Sequence, residues 1–130
     1  MKVASLALAL FVLLAQAGSE NFISASQKDC QNGNAKACFE LGTIYEDNKR
    51  FKKASEFYQK SCQMGCGHGC NNLGTFYYNG RPFKKDIQKV ISLYKEACKK
   101  GSSIGCRNLG LMFTKHRRKA PAFRHGDIRR

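Results

Sequence analysis

Seven cysteines are the residues of this chain most capable of chemistry: Cys30, Cys38, Cys62, Cys66, Cys70, Cys98 and Cys106. Six of them fall into pairs eight residues apart, Cys30 with Cys38, Cys62 with Cys70 and Cys98 with Cys106. Thiols at this density either ligate metal or close disulfides, and the compartment decides between the two. The N-terminus points outward. Met1-Lys2 is followed by an apolar run from Val3 to Ala15 and by the small-x-small sequence Ala15-Gln16-Ala17, the pattern of a cleaved export signal. The run falls short of the ~20 apolar residues of a membrane span. The expectation is a signal peptide over residues 1–17 and a secreted or periplasmic chain without a transmembrane span. No cysteine follows the cleavage site, which argues against a lipid anchor. In that setting the cysteines read as a disulfide framework.

Other reactive groups are sparse. Cys62, Cys66, His68 and Cys70 imitate a zinc site, but their spacing fits no standard ligand pattern, so no metal is expected. Cys66 is left as a free thiol in an exposed turn or as the bridge of a disulfide-linked dimer. Ser92-Leu93-Tyr94-Lys95 fits the S-x-x-K nucleophile–base motif, yet the partner motifs S-D-N and K-T-G are absent. Composition alone supplies such a match by chance. Of the three histidines, His68, His116 and His125, two lie in the C-terminal segment, too few for a metallohydrolase. The catalytic residues are unknown from the sequence, and no cofactor is expected.

The elements that position these residues repeat. Cys30-Gln-Asn-Gly33, Cys62-Gln-Met-Gly65 and Cys98-Lys-Lys-Gly101 each run on to Ala or Gly and a second cysteine. Each then continues through Leu41-Gly42, Leu73-Gly74 or Leu109-Gly110 to an aromatic at Tyr45, Tyr77 or Phe113. Upstream, Ala54, Tyr58 and Cys62 match Val90, Tyr94 and Cys98. The periods, 32 and 36 residues, suit helical hairpins.

Ala37, Leu41, Ile44 and Tyr45 form one helical stripe; Phe51, Ala54, Tyr58 and Ser61 form another, as do Ile87, Val90, Ile91 and Tyr94. The expected order is helix A over about 35–47, B over 51–63, A over 69–79, B over 86–100 and A over 104–114. Gly33, Gly65 and Gly101 fall where a helix C-terminus needs positive φ. Asn79-Gly80-Arg81-Pro82 reads as a turn, with Asp86 as the next cap. A mid-helix glycine costs ~1 kcal/mol. Gly42, Gly74 and Gly110 therefore predict a neighbouring helix too close for a side chain.

The first cysteine of each pair ends a B helix and the second opens the next A helix. Antiparallel neighbours across so short a loop bring two Cα atoms to ~5–6 Å. The pairs predicted are Cys30–Cys38, Cys62–Cys70 and Cys98–Cys106, although the sequence permits other connectivities. Each nine-residue loop is worth ~2.6 kcal/mol by chain entropy. Together they approach the ~5–15 kcal/mol of a whole domain.

The periodicity stops after Thr114. Residues 115–130 carry Lys115, Arg117, Arg118, Lys119, Arg124, Arg129 and Arg130 against Asp127 alone, and read as a basic, hardly helical tail. A truncated or shifted reading frame would produce such a break, and it leaves Leu109 and Phe113 half covered. The whole chain carries a net charge of +14. For an exported chain that balance favours anionic surfaces, such as lipid head groups, cell-wall polymers or host glycans, over nucleic acid.

These residues resemble the Sel1-like repeat family, relatives of the tetratricopeptide solenoids, in the cysteine-stapled form of the Helicobacter cysteine-rich proteins. The resemblance is carried by the three C-x7-C blocks, the Leu-Gly-x-x-aromatic runs, Tyr77-Tyr78-Asn79-Gly80 and Tyr94-Lys95-Glu96-Ala97-Cys98, across about residues 28–114. Cys66 and the lost final helix depart from it. It implies an all-α αα-hairpin solenoid stapled by disulfides, about two and a half repeats over residues 18–114. It also implies two functions. One is that of a penicillin-binding protein with weak β-lactamase activity. The other is a non-enzymatic scaffold for a peptide-like ligand or an envelope or host protein. Helix A lines the inner curve of related solenoids. Asn72, Thr75 and Asn108 are accordingly the candidate ligand residues, with Asn72 and Thr75 three apart on one helix face.

Overall fold

The computed structural model describes residues 18 and 20–119, and they are helical apart from short connections. Helix α1 covers residues 20–31. It is followed by α2 (Ala35–Asp47), α3 (Phe51–Gln63), α4 (Gly67–Asn79), α5 (Ile87–Lys99) and α6 (Ser103–Lys119). The architecture is all-α, with consecutive antiparallel hairpins. Each helix from α2 to α6 packs on the next, and α4 also touches α2 and α6.

Local chemistry sets the boundaries. Asn34 Oδ1 accepts from the Ala37 amide at 3.1 Å, Asp86 Oδ1 from the Lys89 amide at 3.1 Å, and Ser102 Oγ from the Gly105 amide at 3.1 Å. Each satisfies a donor that the first helical turn leaves unpaired. At the other ends, Gly33, Gly65 and Gly101 adopt φ of 96°, 99° and 89°. The following amide of each reaches back to a carbonyl of the last turn, as from Asn34 to Asp29 at 3.0 Å. This closes the helix in a conformation that side chains resist.

The tight turns bring each cysteine pair together. Cys30–Cys38, Cys62–Cys70 and Cys98–Cys106 are bonded, with Cα separations of 4.7, 4.6 and 4.5 Å. Three disulfides belong to an oxidising, extracytoplasmic compartment. Among the described residues no helix is long and apolar enough to cross a membrane.

Of the predicted stripes, Ala37, Leu41, Ala54, Tyr58, Ser61, Val90 and Tyr94 are buried, while Ile44, Tyr45, Phe51, Ile87 and Ile91 are half-buried. Ala54, Tyr58 and Cys62 from α3 meet Cys70, Leu73 and Phe76 from α4 and Leu93 and Ala97 from α5 in the central core. Cys30, Ala37, Cys38 and Leu41 extend it toward the N-terminus; Val90, Tyr94 and Met112 extend it toward α6.

Four features differ from the sequence reading. Helix α1 precedes the expected order, because the segment before Cys30 shares only the cysteine with the repeated B helix and offers Phe22 and Ser26 where α3 has Ala54 and Tyr58. Helix α6 does not stop at Thr114 but runs to Lys119, since a helix outlasts its repeat motif where no breaker intervenes; residues 120–130 of the expected tail lie outside the described residues. Cys66 is half-buried at the N-cap of α4 rather than exposed. Gly110 has nothing within 4 Å of where its Cβ would stand, so the close approach holds at Gly42 and Gly74 only. Its cause is visible in the others, each of which faces the tyrosine of the next B helix. The expected signal peptide, residues 1–17, also lies outside the described residues.

Candidate functional site

The side formed by α2, α4 and α6 carries most of the polar side chains held by tertiary contacts. At its α2 end the rings of Phe39 and His68 lie 5.8 Å apart. In the middle, Asn108 Nδ2 donates to Asn71 Oδ1 at 2.9 Å and Asn71 Nδ2 donates to Asn72 Oδ1 at 3.2 Å. Asn71 is buried, so these bonds satisfy an amide that would otherwise be costly to enclose. The Tyr58 hydroxyl, on the neighbouring α3, donates to the Glu46 carboxylate. Thr75 Oγ1 bonds the Asn71 carbonyl and the Tyr94 hydroxyl, both at 3.1 Å.

Two phenols are held far from their ordinary chemistry. Burial, followed by the adjacent Glu46 carboxylate, drives Tyr58 well above the usual phenol range, and the neighbouring Asn72 amide opposes this. Burial also raises Tyr94, against the Thr75 bond. Both remain protonated at neutral pH and serve as hydrogen-bond partners.

Toward the α6 end, Tyr78, Tyr94, Asn108, Leu111, Met112 and Lys115 enclose a cavity of about 200 Å³. A wider depression over Tyr78, Leu111, Thr114 and Lys115 adjoins it. Lys115 Nζ donates to Tyr78 Oη at 2.6 Å.

Of the three residues the sequence nominates, Asn108 lines the cavity, whereas Asn72 and Thr75 turn to protein partners. Tyr78, Tyr94, Met112 and Lys115 were not nominated. Neither was Asn71, whose repeat counterparts are Phe39 and Arg107 and which therefore gives no periodic signal. Ser92 and Lys95 are both exposed, on the side of α5 away from its buried stripe of Val90, Leu93, Tyr94 and Ala97. Among the described residues no group of histidine, cysteine and carboxylate side chains is arranged to hold a metal ion.

No family model matches the chain, and neither does the sequence of any curated protein. Solved structures do. Cysteine rich protein B of Helicobacter pylori shares 28% identity at a TM-score of 0.64, over 70% of this chain and 71% of its own. A Sel1 repeat protein from Oxalobacter formigenes shares 23% identity at a TM-score of 0.65, over 72% of this chain and 73% of its own. A protective antigen of uropathogenic Escherichia coli strains, displaying an SLR fold, shares 28% identity at a TM-score of 0.65; the match covers 72% of this chain but 21% of the antigen. The fold and the stapled repeats together define a Sel1-like solenoid. The chain is a disulfide-rich Sel1-repeat protein resembling cysteine rich protein B.

Proposed function

We propose that this chain is an extracytoplasmic recognition module that binds a peptide-like ligand on the α4–α6 surface and does not turn it over. The observation that carries the reading is the cavity itself. Its lining combines aromatic and aliphatic surface from Tyr78, Tyr94, Leu111 and Met112 with the polar groups of Asn108 and Lys115, the mixture typical of ligand sites. Its polar members are held by tertiary hydrogen bonds, so the surface is preorganised and less entropy is lost on binding. An exported peptide, an envelope protein segment or a host protein segment would suit it.

Penicillin binding with weak β-lactam hydrolysis, which the resemblance implies, finds no support in the placement of Ser92 and Lys95. A nucleophile needs its base within hydrogen-bond reach and a cleft to hold substrate, and neither residue lines the cavity. Isothermal titration of the oxidised chain with short peptides, run beside a chromogenic cephalosporin assay, tests the reading. Saturable peptide binding without turnover is expected. Efficient turnover abolished by Ser92→Ala would overturn it.

A further inference from the structure

The disulfide-bearing turns all lie at one edge of the stack, where α1, α3 and α5 end and α2, α4 and α6 begin. The opposite edge takes the C-termini of α2, α4 and α6 and the N-termini of α3 and α5, and it is basic. Residues 46–53, 80–89 and 115–119 contain 12 of the chain's 23 lysines and arginines but 3 of its 9 acidic residues. The two loops share a local pattern, Arg50-Phe51-Lys52-Lys53 and Arg81-Pro82-Phe83-Lys84-Lys85, so the charge recurs with the repeat.

Contacts between helices join these cations into one row. The Arg50 guanidinium lies 5.3 Å and Lys53 Nζ 5.9 Å from the centre of the Tyr45 ring, near the end of α2. The Arg81 guanidinium, from the next loop, lies 4.8 Å from the centre of the Phe51 ring, so the two loops meet. Lys85 Nζ at 4.8 Å and Lys115 Nζ at 5.1 Å share the ring of Tyr78, which joins the second loop to α6. The rings are fixed in turn, Tyr45 stacked on Phe57 at 5.4 Å and Phe51 edge-on to Phe76 at 5.9 Å. An open depression over Lys49, Arg50, Lys52, Lys53 and Glu56 begins the row.

Little within the protein neutralises it. Arg50, Lys53, Arg81, Lys85 and Lys115 are exposed, and the ion pairs among the described residues, Lys36–Glu40 and Lys100–Glu96, include none of them. Of the carboxylates beside the row, Glu46 accepts from the Tyr58 hydroxyl and Asp86 caps α5, which leaves Asp47 and Glu56. Like charges gathered in this way repel, and an external polyanion relieves that repulsion.

We propose that this edge binds a linear sulfated polysaccharide lying along the stack, across the α2–α3 loop, the α4–α5 loop and the end of α6. Arg50 and Arg81 take sulfate oxygens through paired N–H groups, and the lysines act as point charges between them. A polymer fits better than a bilayer, because the cations follow the helix order in a row and no large apolar side chain of either loop is exposed for insertion. Sugar rings suit the row because Tyr45 and Phe51 are half-buried, leaving ring surface beside the arginines. The edge shares only Tyr78 and Lys115 with the cavity proposed for a peptide-like ligand, and the test leaves both untouched.

That test is titration calorimetry on the oxidised full chain with four probes: a heparin hexasaccharide, the same hexasaccharide desulfated, an oligothymidylate of equal charge, and vesicles of phosphatidylcholine with phosphatidylglycerol. The sulfated hexasaccharide should bind best, with an affinity that falls steeply as salt rises. Arg50→Gln with Lys53→Gln, and Arg81→Gln with Lys85→Gln, should each weaken it by about 10-fold and make the salt dependence shallower. Lys28→Gln with Lys99→Gln removes the same charge near the disulfide turns and should change affinity by less than about 2-fold, the effect of distant screened charges. Circular dichroism checks that each variant is folded, and the two loops are tested separately, so either one is decisive. An equal loss in the Lys28 and Lys99 variant overturns the edge in favour of diffuse net charge. Equal affinity for the desulfated probe or the oligothymidylate overturns the sulfated-sugar assignment. Vesicle binding without hexasaccharide binding overturns it in favour of a membrane surface. Full affinity after both loop pairs are removed overturns it as well. None of these outcomes alters the peptide-like ligand reading of the cavity.

Discussion

The ring of Tyr58 occupies the space that a side chain at Gly42 would need: a Cβ there would stand 2.5 Å from Tyr58 Cδ1 and Cε1. Tyr94 does the same at Gly74, at 2.9 Å. Since both rings are buried and bonded at their hydroxyls, neither can withdraw freely. The glycine and the tyrosine are one packing unit repeated along the stack. At Gly110 the unit is incomplete among the described residues.

Gly42→Ala and Gly74→Ala should therefore each destabilise the chain by about 1–3 kcal/mol, the usual range for overpacking. Gly110→Ala should instead stabilise α6 by about 1 kcal/mol, because only helix propensity is at stake there. Urea denaturation of the three oxidised variants checks the contrast. Similar losses at all three positions would show that α6 is packed like α2 and α4.

The three disulfides should differ in accessibility. Cys38 and Cys70 are 0% exposed, whereas Cys106 is exposed on α6. Mild reduction followed by alkylation and peptide mapping should open Cys98–Cys106 first and the other two only with loss of helical circular dichroism. Loss of a native disulfide costs a small domain about 2–5 kcal/mol, so complete reduction should unfold the chain. Recovery of long-range pairs such as Cys38–Cys62 would contradict the hairpin geometry.

Cys66 stands at the position that Asn34 and Ser102 hold in the other blocks, yet it supplies no side-chain cap. Cys66→Asn should restore one and raise stability by about 0.5–1 kcal/mol, a typical N-cap gain. The same substitution should abolish any disulfide-linked dimer on a non-reducing gel. A persistent covalent dimer would place the intermolecular link at another cysteine.

Alkaline stability should report the buried phenols. An unfolded tyrosine ionises near 10.0, whereas Tyr58 in the fold ionises well above that. Above pH 10 the unfolded chain thus loses a proton that the folded chain keeps, and stability falls as pH rises. The fold's advantage is intact below that value. Urea midpoints across this range, measured on a Cys66→Ser background to prevent thiol exchange, should decline, and Tyr58→Phe should flatten the decline. An unchanged slope in that variant would contradict the burial of the phenol.

What was legible in the sequence was whatever the repeat states locally. The cysteine spacing, the Gly33, Gly65 and Gly101 turns, the cap at Asp86 and the buried stripes each depend on residues within a turn or two of one another, and the repetition supplies the check. The reading failed where a position keeps the repeat residue without its neighbour, as at Gly110. It also missed contacts made by residues that do not repeat. Asn71 and Asn108 are 37 positions apart, as are Tyr78 and Lys115. Asn71 and Lys115 follow no periodic rule, so only the packing of α4 against α6 brings them to their partners.

The most direct test of the recognition surface is a heteronuclear NMR titration of the oxidised chain with acetyl-Ala-Ala-Leu. The account predicts saturable shift changes concentrated at Tyr78, Tyr94, Asn108, Leu111 and Lys115, with Ser92 and Lys95 unmoved. Changes centred on Ser92 and Lys95, or none at the α4–α6 surface, would contradict it.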